Sequence, residues 1–271
     1  MNCAIFISYV KGQFRKKMQL SQILSVEVYK LLIIFARIGI IFMTMPLFST
    51  AFVYAKFRLS MALALSFIMY PVIAKSIPAA PATILELTCV ILNEAMIGIF
   101  FSLFVNIIFT ALEIASAQTT FSVGFSHSMV FDPFQGQQTM LLNSFAFITA
   151  YALLFVLDLH HLLLQAMYDS YTLFIPGKGI PVDDMFNYLI KTLDKSFRIG
   201  AEISFPFIAL TFVMQTSMAV IAKLMPQLNI LFLAMPAQIY FGMHLFAIII
   251  GMIMMYFVQY FTETINNFIP V

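Results

Sequence analysis

The chain has 271 residues, of which 62% are hydrophobic and only 10% charged, with a mean hydropathy of +0.98. A soluble domain carries about one charged residue in four, so this composition excludes an ordinary soluble fold and indicates a membrane protein. The net charge of +2 is spread along the chain, which excludes the clustered basic face that nucleic-acid binding needs.

Residues 1–10, MNCAIFISYV, precede Lys11, Arg15, Lys16 and Lys17. That is the reverse of the order in a secretory signal peptide. Residues 1–21 therefore read as a basic extension, a short leader or a misassigned start, ahead of one membrane domain over 22–271. Cys3 and Cys89 lie far apart without a partner pattern, so neither a disulfide framework nor a zinc site is expected.

About 20 apolar residues cross the hydrocarbon core as a helix. Apolar runs of that length fall at about 30–53, 59–77, 87–112, 139–158, 200–222 and 237–259. The predicted fold class is an all-α integral membrane protein of about six hydrophobic helical segments. Pro46, Pro71, Pro206, Pro226 and Pro236 interrupt these runs, so broken helices and helical hairpins within a larger assembly are expected.

Arg37, Glu94 and Glu202 lie inside apolar runs. A central charge costs about 2.5–3.5 kcal/mol on insertion scales, so each needs a partner or a conduit. A proton relay and a structural ion pair are both open, and isolated carboxylates favour the pair. With Lys30 and Lys75 at the run edges counted as flanking, Lys and Arg around the six runs fall ten on the N-terminal side and three on the other, which predicts a cytoplasmic N-terminus if all six spans are conventional.

The stretch 123–140, VGFSHSMVFDPFQGQQTM, joins two such runs with Asp132 as its single formal charge. It is too rich in glycine and small polar residues for a helix throughout. Gly124 and Gly136 loosen the backbone, Phe125, Met129, Phe131 and Phe134 supply bulk, and Asp132 before Pro133 suits a turn. A movable plug and a buried re-entrant connector fit these residues equally well.

In LDLHHLLLQAMYDSY, His160 and His161 follow Asp158. Neighbouring helical residues point about 100° apart, so the pair is not expected to grip one metal, and Asp169 is too far along to join His160. The segment 175–198 predicts an amphipathic connecting helix that starts at Asp183 and Asp184 and carries Lys195 and Arg198 towards its end. Its stripe of Phe186, Ile190, Leu193 and Phe197 is suited to a partner or a membrane surface. No Ser-His-Asp arrangement, P-loop, GxGxxG or HExxH occurs, so no enzyme, cofactor or catalytic residue is expected.

Three stretches together carry a family resemblance: GFSHSMVFDPFQGQQ, then LDLHHLLLQAMYDSYTLFIPG at 157–177, then LMPQLNILFLAMPAQI at 224–239. The third is the most specific, through Pro226, Gln227 and Asn229, with Pro236 beyond. From about Gln22 to its end the chain resembles the flagellar biosynthetic protein FliR family, with ARIGIIFMTMPLFS a weaker early match. The family's more usual Gly-Phe before the last proline is here Ala234 and Met235.

The resemblance implies a subunit of a type III protein-export gate in the bacterial inner membrane at the flagellar basal body. It implies partners too: FliP-like and FliQ-like subunits in a helical ring, an FlhB-like protein that helps select substrates, and unfolded flagellar proteins as cargo. It also implies that the central loop plugs the closed pore, with Gly124, Phe125, Met129, Phe131, Asp132, Pro133, Phe134 and Gly136 in that plug. The export-apparatus proteins of virulence secretion systems share DP-x-x-G-x-x-T at 132–139 and remain an alternative. A small-solute transporter is a weaker one, because the chain shows no internal repeat.

Overall fold

The computed structural model describes residues 26–48, 53–79, 81, 83–125, 129–132, 137–179, 181–225, 227 and 230–268. The elements are α1 (26–44), α2 (Ala55–Ile73), α3 (Ile84–Val123), β1 (Met129–Asp132), β2 (Gln137–Met140), α4 (Leu141–Val156), α5 (Leu159–Leu173), α6 (Val182–Leu224) and α7 (Ile230–Phe268). Each expected apolar run overlaps a described helix, and α5 falls in none of them. Among the described residues four helices are long and apolar enough to cross a membrane, and the bent pair α4–α5 makes a fifth candidate.

Local sequence explains the boundaries. Helix α1 stops just before Pro46, whose ring disfavours helical backbone in the residue ahead of it. Thr83 caps α3 by accepting the Glu86 N–H at 3.3 Å, with Glu86 itself in the first turn. Helix α6 starts after Pro181 with Asp183 and Asp184 at its positive end and carries Lys223 in its last turn.

Two expectations need correction. The polar connecting helix expected to end near Arg198 instead runs on as α6, a single helix of 43 residues. Gly200 is the one weak point at the join, and it is pressed against α3, which supports the helix there. Pro206 and Pro236 do not end their helices either, and Pro71 falls in the last turn of α2. Pro206 leaves the Glu202 carbonyl without its donor one turn on, and Ser204 Oγ donates to the adjacent Ala201 carbonyl at 3.0 Å.

Helices α3, α6 and α7 contain 40, 43 and 39 residues. At 1.5 Å per residue each is roughly 60 Å long, about twice the thickness of a hydrocarbon core. Helix α3 is the central post, buried along most of its apolar length and packed most extensively against α6. The buried face of α6 follows helical spacing: Met185, Thr192, Ser196, Ile199, Ile203 and Phe207. The outward stripe of Phe186, Ile190, Leu193 and Phe197 is exposed.

Aromatic rings fill the space between the posts. Phe104 stacks on Phe268 at 5.0 Å, while Phe109 meets Phe147, Tyr151, Phe257 and Phe261 from α4 and α7. A buried Ser196–Tyr260 hydrogen bond of 2.6 Å joins α6 to α7.

Three glycines set how closely the posts approach. A Cβ on Gly98 would lie 2.9 Å from the Arg37 carbonyl of α1, and one on Gly200 2.9 Å from the Ala111 carbonyl of α3. A Cβ on Gly242 of α7 would lie 2.9 Å from Val123 Cγ2 and 3.0 Å from Val123 Cα, whereas at Gly251 it would meet nothing within 4 Å. Overpacking of this kind costs about 1–3 kcal/mol, and an alanine in open helix gains up to about 1 kcal/mol over glycine. Gly242→Ala is therefore expected to lower the thermal midpoint of the detergent-purified protein and Gly251→Ala to leave it unchanged or raised. Equal shifts in a melting assay would contradict this packing.

Candidate functional site

The segment between α3 and α4 begins with a helix stop. Gly124 takes the left-handed conformation (φ 87°); its N–H bonds the Phe121 carbonyl at 3.2 Å, and the Phe125 N–H bonds the Thr120 carbonyl at 3.1 Å. This double bond pattern closes the last turn of α3 and needs a residue without Cβ strain.

Beyond it the chain forms an antiparallel hairpin, with Met129 opposite Met140, Val130 opposite Thr139, Phe131 opposite Gln138 and Asp132 opposite Gln137. The expected irregular loop is thus partly strand. Pairing lets backbone donors and acceptors satisfy each other where no helix can. Pro133, Phe134 and Gly136 lie outside the described residues.

Both ends of the hairpin are footed on the helices. The Ser122 carbonyl accepts two bonds, from Thr211 Oγ1 of α6 at 3.0 Å and from Gln238 Nε2 of α7 at 2.7 Å. Val123 sits in the notch at Gly242. At the exit, the buried Ser116 hydroxyl of α3 reaches Asn143 Oδ1 in the first turn of α4. Beside the entry footing, a cavity of about 340 Å³ opens between α6 and α7, lined by Met214, Gln215, Met218, Ala219, Ala222, Ala234 and Gln238.

These footing residues escaped the sequence reading. Asn143, Thr211 and Gln238 are uncharged polar groups within apolar runs, and that was the available signal, because such groups need hydrogen-bond partners once out of water.

The three intramembrane charges separate into two arrangements. Arg37 Nε donates to Glu94 Oε2 at 2.7 Å, and both side chains are fully buried. The same guanidinium donates through Nη1 to the Ser170 carbonyl and through Nη2 to the Phe174 carbonyl, each at 2.9 Å, and lies 4.0 Å over the Tyr171 ring. It thus neutralises a buried carboxylate from α3 and caps the negative end of α5. Tyr171 returns the connection to α1 through its hydroxyl, which donates to the Ile34 carbonyl at 3.2 Å.

Glu202 is apart from this pair and exposed. It accepts from Arg198 Nε at 2.9 Å and from Tyr256 OH at 2.8 Å, on the edge of an apolar cavity of about 360 Å³ between α6 and α7.

At the third motif, α6 ends at Leu224 and α7 begins at Ile230, so a break separates two helices as its prolines predict. Gln227 is exposed in that turn, Pro226 and Asn229 lie outside the described residues, and Pro236 is inside α7. In the second motif α4 and α5 bend by 78°. Asp158 at the bend has φ 56°, and the rings of His160 and His161 stand 4.2 Å apart. The two imidazoles do not diverge as expected. In the first turn of a helix no preceding turn crowds their rotamers, so the rings are free to swing together.

The sequence profile of a family described as bacterial export proteins, family 1, matches residues 28–264. The flagellar biosynthetic protein FliR of Caulobacter vibrioides is 30% identical over 246 residues, covering 89% of this chain and 96% of the relative. The FliR of Bacillus subtilis is 30% identical over 211 residues, with 77% and 81% covered. That of Aquifex aeolicus is 28% identical over 222 residues, with 79% and 82% covered.

Removing one partner of a buried ion pair leaves the other charge stranded and costs about 3–5 kcal/mol. Arg37→Met and Glu94→Met are each expected to cut the steady-state level of folded protein in membranes severalfold, and the double substitution to cost less than the sum of the two. Additive losses in a double-mutant cycle would show that the two side chains do not act as a unit.

Proposed function

The chain belongs to the first family of bacterial export proteins, and on that membership we propose that it is a multi-pass membrane subunit of the flagellar type III export gate. Its partners on this reading are FliP-like and FliQ-like subunits and an FlhB-like specificity protein, in the bacterial inner membrane at the flagellar basal body. Unfolded flagellar proteins are the cargo. The flagellar reading is preferred to a virulence system because the relatives described above are flagellar biosynthetic proteins.

The observation that carries the mechanism is the footed hairpin. A gate needs a closure that fills a narrow lumen, gives way to cargo and leaves its frame unchanged. The hairpin at 129–140 leaves α3 through a left-handed glycine, and its roots are tied to α6 and α7 at the entry and to α3 at the exit. Phe125, Met129, Phe131 and Phe134 would supply the seal. Asp132 and Pro133 would shape the tip, and Gly124 and Gly136 the flexing points. The long apolar helices would be covered on their outer faces by lipid or by neighbouring subunits. The alternative is a connector buried against those neighbours.

Deleting residues 126–138 while keeping Gly124 and α4 is expected to leave the assembly intact and make cells leaky to small ions and sensitive to small hydrophilic toxins. Gly124→Val is expected to reduce export without leakiness, because a branched side chain strains the left-handed root. Conductance or toxin sensitivity, measured beside a co-purification check, distinguishes the readings. An assembled, tight deletion would overturn the plug and leave the connector.

A further inference from the structure

Metal-ligating side chains converge at one place among the described residues, the bend between α4 and α5. Asp158, His160 and His161 each offer a ligand atom, and the three atoms lie within 4.8 Å of one another. Two further observations concern His160 and Asp158. His160 Nδ1 is buried and has no hydrogen-bond partner among the described residues. Asp158 precedes the first residue of α5, a position where aspartate normally accepts a backbone N–H, yet its side chain makes no such bond.

The donor set selects the ligand. Two imidazoles and one carboxylate suit first-row divalent transition ions. A site for calcium or magnesium would be built from oxygens, and one for Cu(I) or an iron–sulfur cluster from thiolates. We propose that this bend binds one such ion, zinc foremost, through Asp158, His160 and His161, with the fourth position left to water or a neighbouring subunit.

With zinc–ligand bonds near 2.1 Å, ligand atoms of a tetrahedral site stand about 3.4 Å apart, so the three groups need to draw in by roughly 1.4 Å at most. Small rotations of exposed or half-buried side chains supply that movement. The ion would bridge Asp158 to the first turn of α5 and hold the left-handed backbone at φ 56°, which otherwise carries a strain cost in a non-glycine residue. It would thereby fix the direction in which α5 leaves the bend towards Arg37.

The test uses the full-length chain purified from membranes with its co-purifying subunits and without a polyhistidine tag. After chelator treatment it is titrated with Co²⁺, read by d–d absorption, and then with competing Zn²⁺. One Co²⁺ per chain is expected, displaced by one Zn²⁺. His160→Ala and Asp158→Asn should each weaken binding at least about tenfold, since even residues that only support ligands are worth 10–100-fold. Asparagine tolerates the left-handed conformation, so Asp158→Asn removes the carboxylate while keeping the bend, and native mass confirms that each variant assembles. Absence of saturable Co²⁺ or Zn²⁺ binding, or assembled variants that bind as tightly as the parent, would overturn the site.

Discussion

One guanidinium holds three helices in register. Arg37 leaves α1, neutralises Glu94 on α3 and closes the last carbonyls of α5, with its own side chain and that of Glu94 fully buried. In a medium of low polarity none of these groups has a cheap alternative partner, so the arrangement is closer to all-or-none than a surface salt bridge would be. Its position matters for the rest. The pair fixes α3 against α1 near the start of α3, and Gly98 lets the two backbones touch one turn further along. From Glu94 helix α3 then runs about 44 Å to its end at Val123, the root of the hairpin, as one rigid element. What happens at Gly124 therefore depends on a post anchored far from it.

The opposite end is built differently. There the footing consists of neutral hydrogen bonds from Thr211 and Gln238 to a single carbonyl, with glycine contacts on either side. A neutral hydrogen bond contributes about 1 kcal/mol, against several for breaking a buried ion pair. The contrast in strength separates a frame that stays from a segment able to yield. Motion of the hairpin would disturb the weak ties without loosening the strong one.

Much of this was legible in the sequence. Apolar runs located six of the seven described helices, all but α5, because the demand for internally satisfied backbone in an apolar medium leaves little else. Arg37 and Glu94 stood out as charges in apolar runs, but their pairing spans 57 positions and no local pattern expresses it. The Arg198–Glu202 contact is the reverse case. Its i, i+4 spacing was readable, yet Glu202 was grouped with Arg37 and Glu94 because it lies in the apolar run 200–222. The hairpin was missed because Met-Val-Phe-Asp and Gln-Gln-Thr-Met show no alternation of period two, and strands of four residues are set by their pairing partner. Gly98, Gly200 and Gly242 lie on three different helices, so no small-residue repeat marks them.

The central claim is that a rigid frame carries a yielding hairpin, and hydrogen–deuterium exchange on the assembled complex tests it most directly. Peptides containing Arg37, Glu94 and Ser170 should stay protected at long exchange times whether or not a stalled export substrate occupies the gate. Peptides covering 125–138 should be protected in the closed complex and exchange markedly faster once the substrate is engaged. Equal protection of 125–138 in both states, or loss of protection around Arg37 and Glu94 together with the hairpin, would contradict the account.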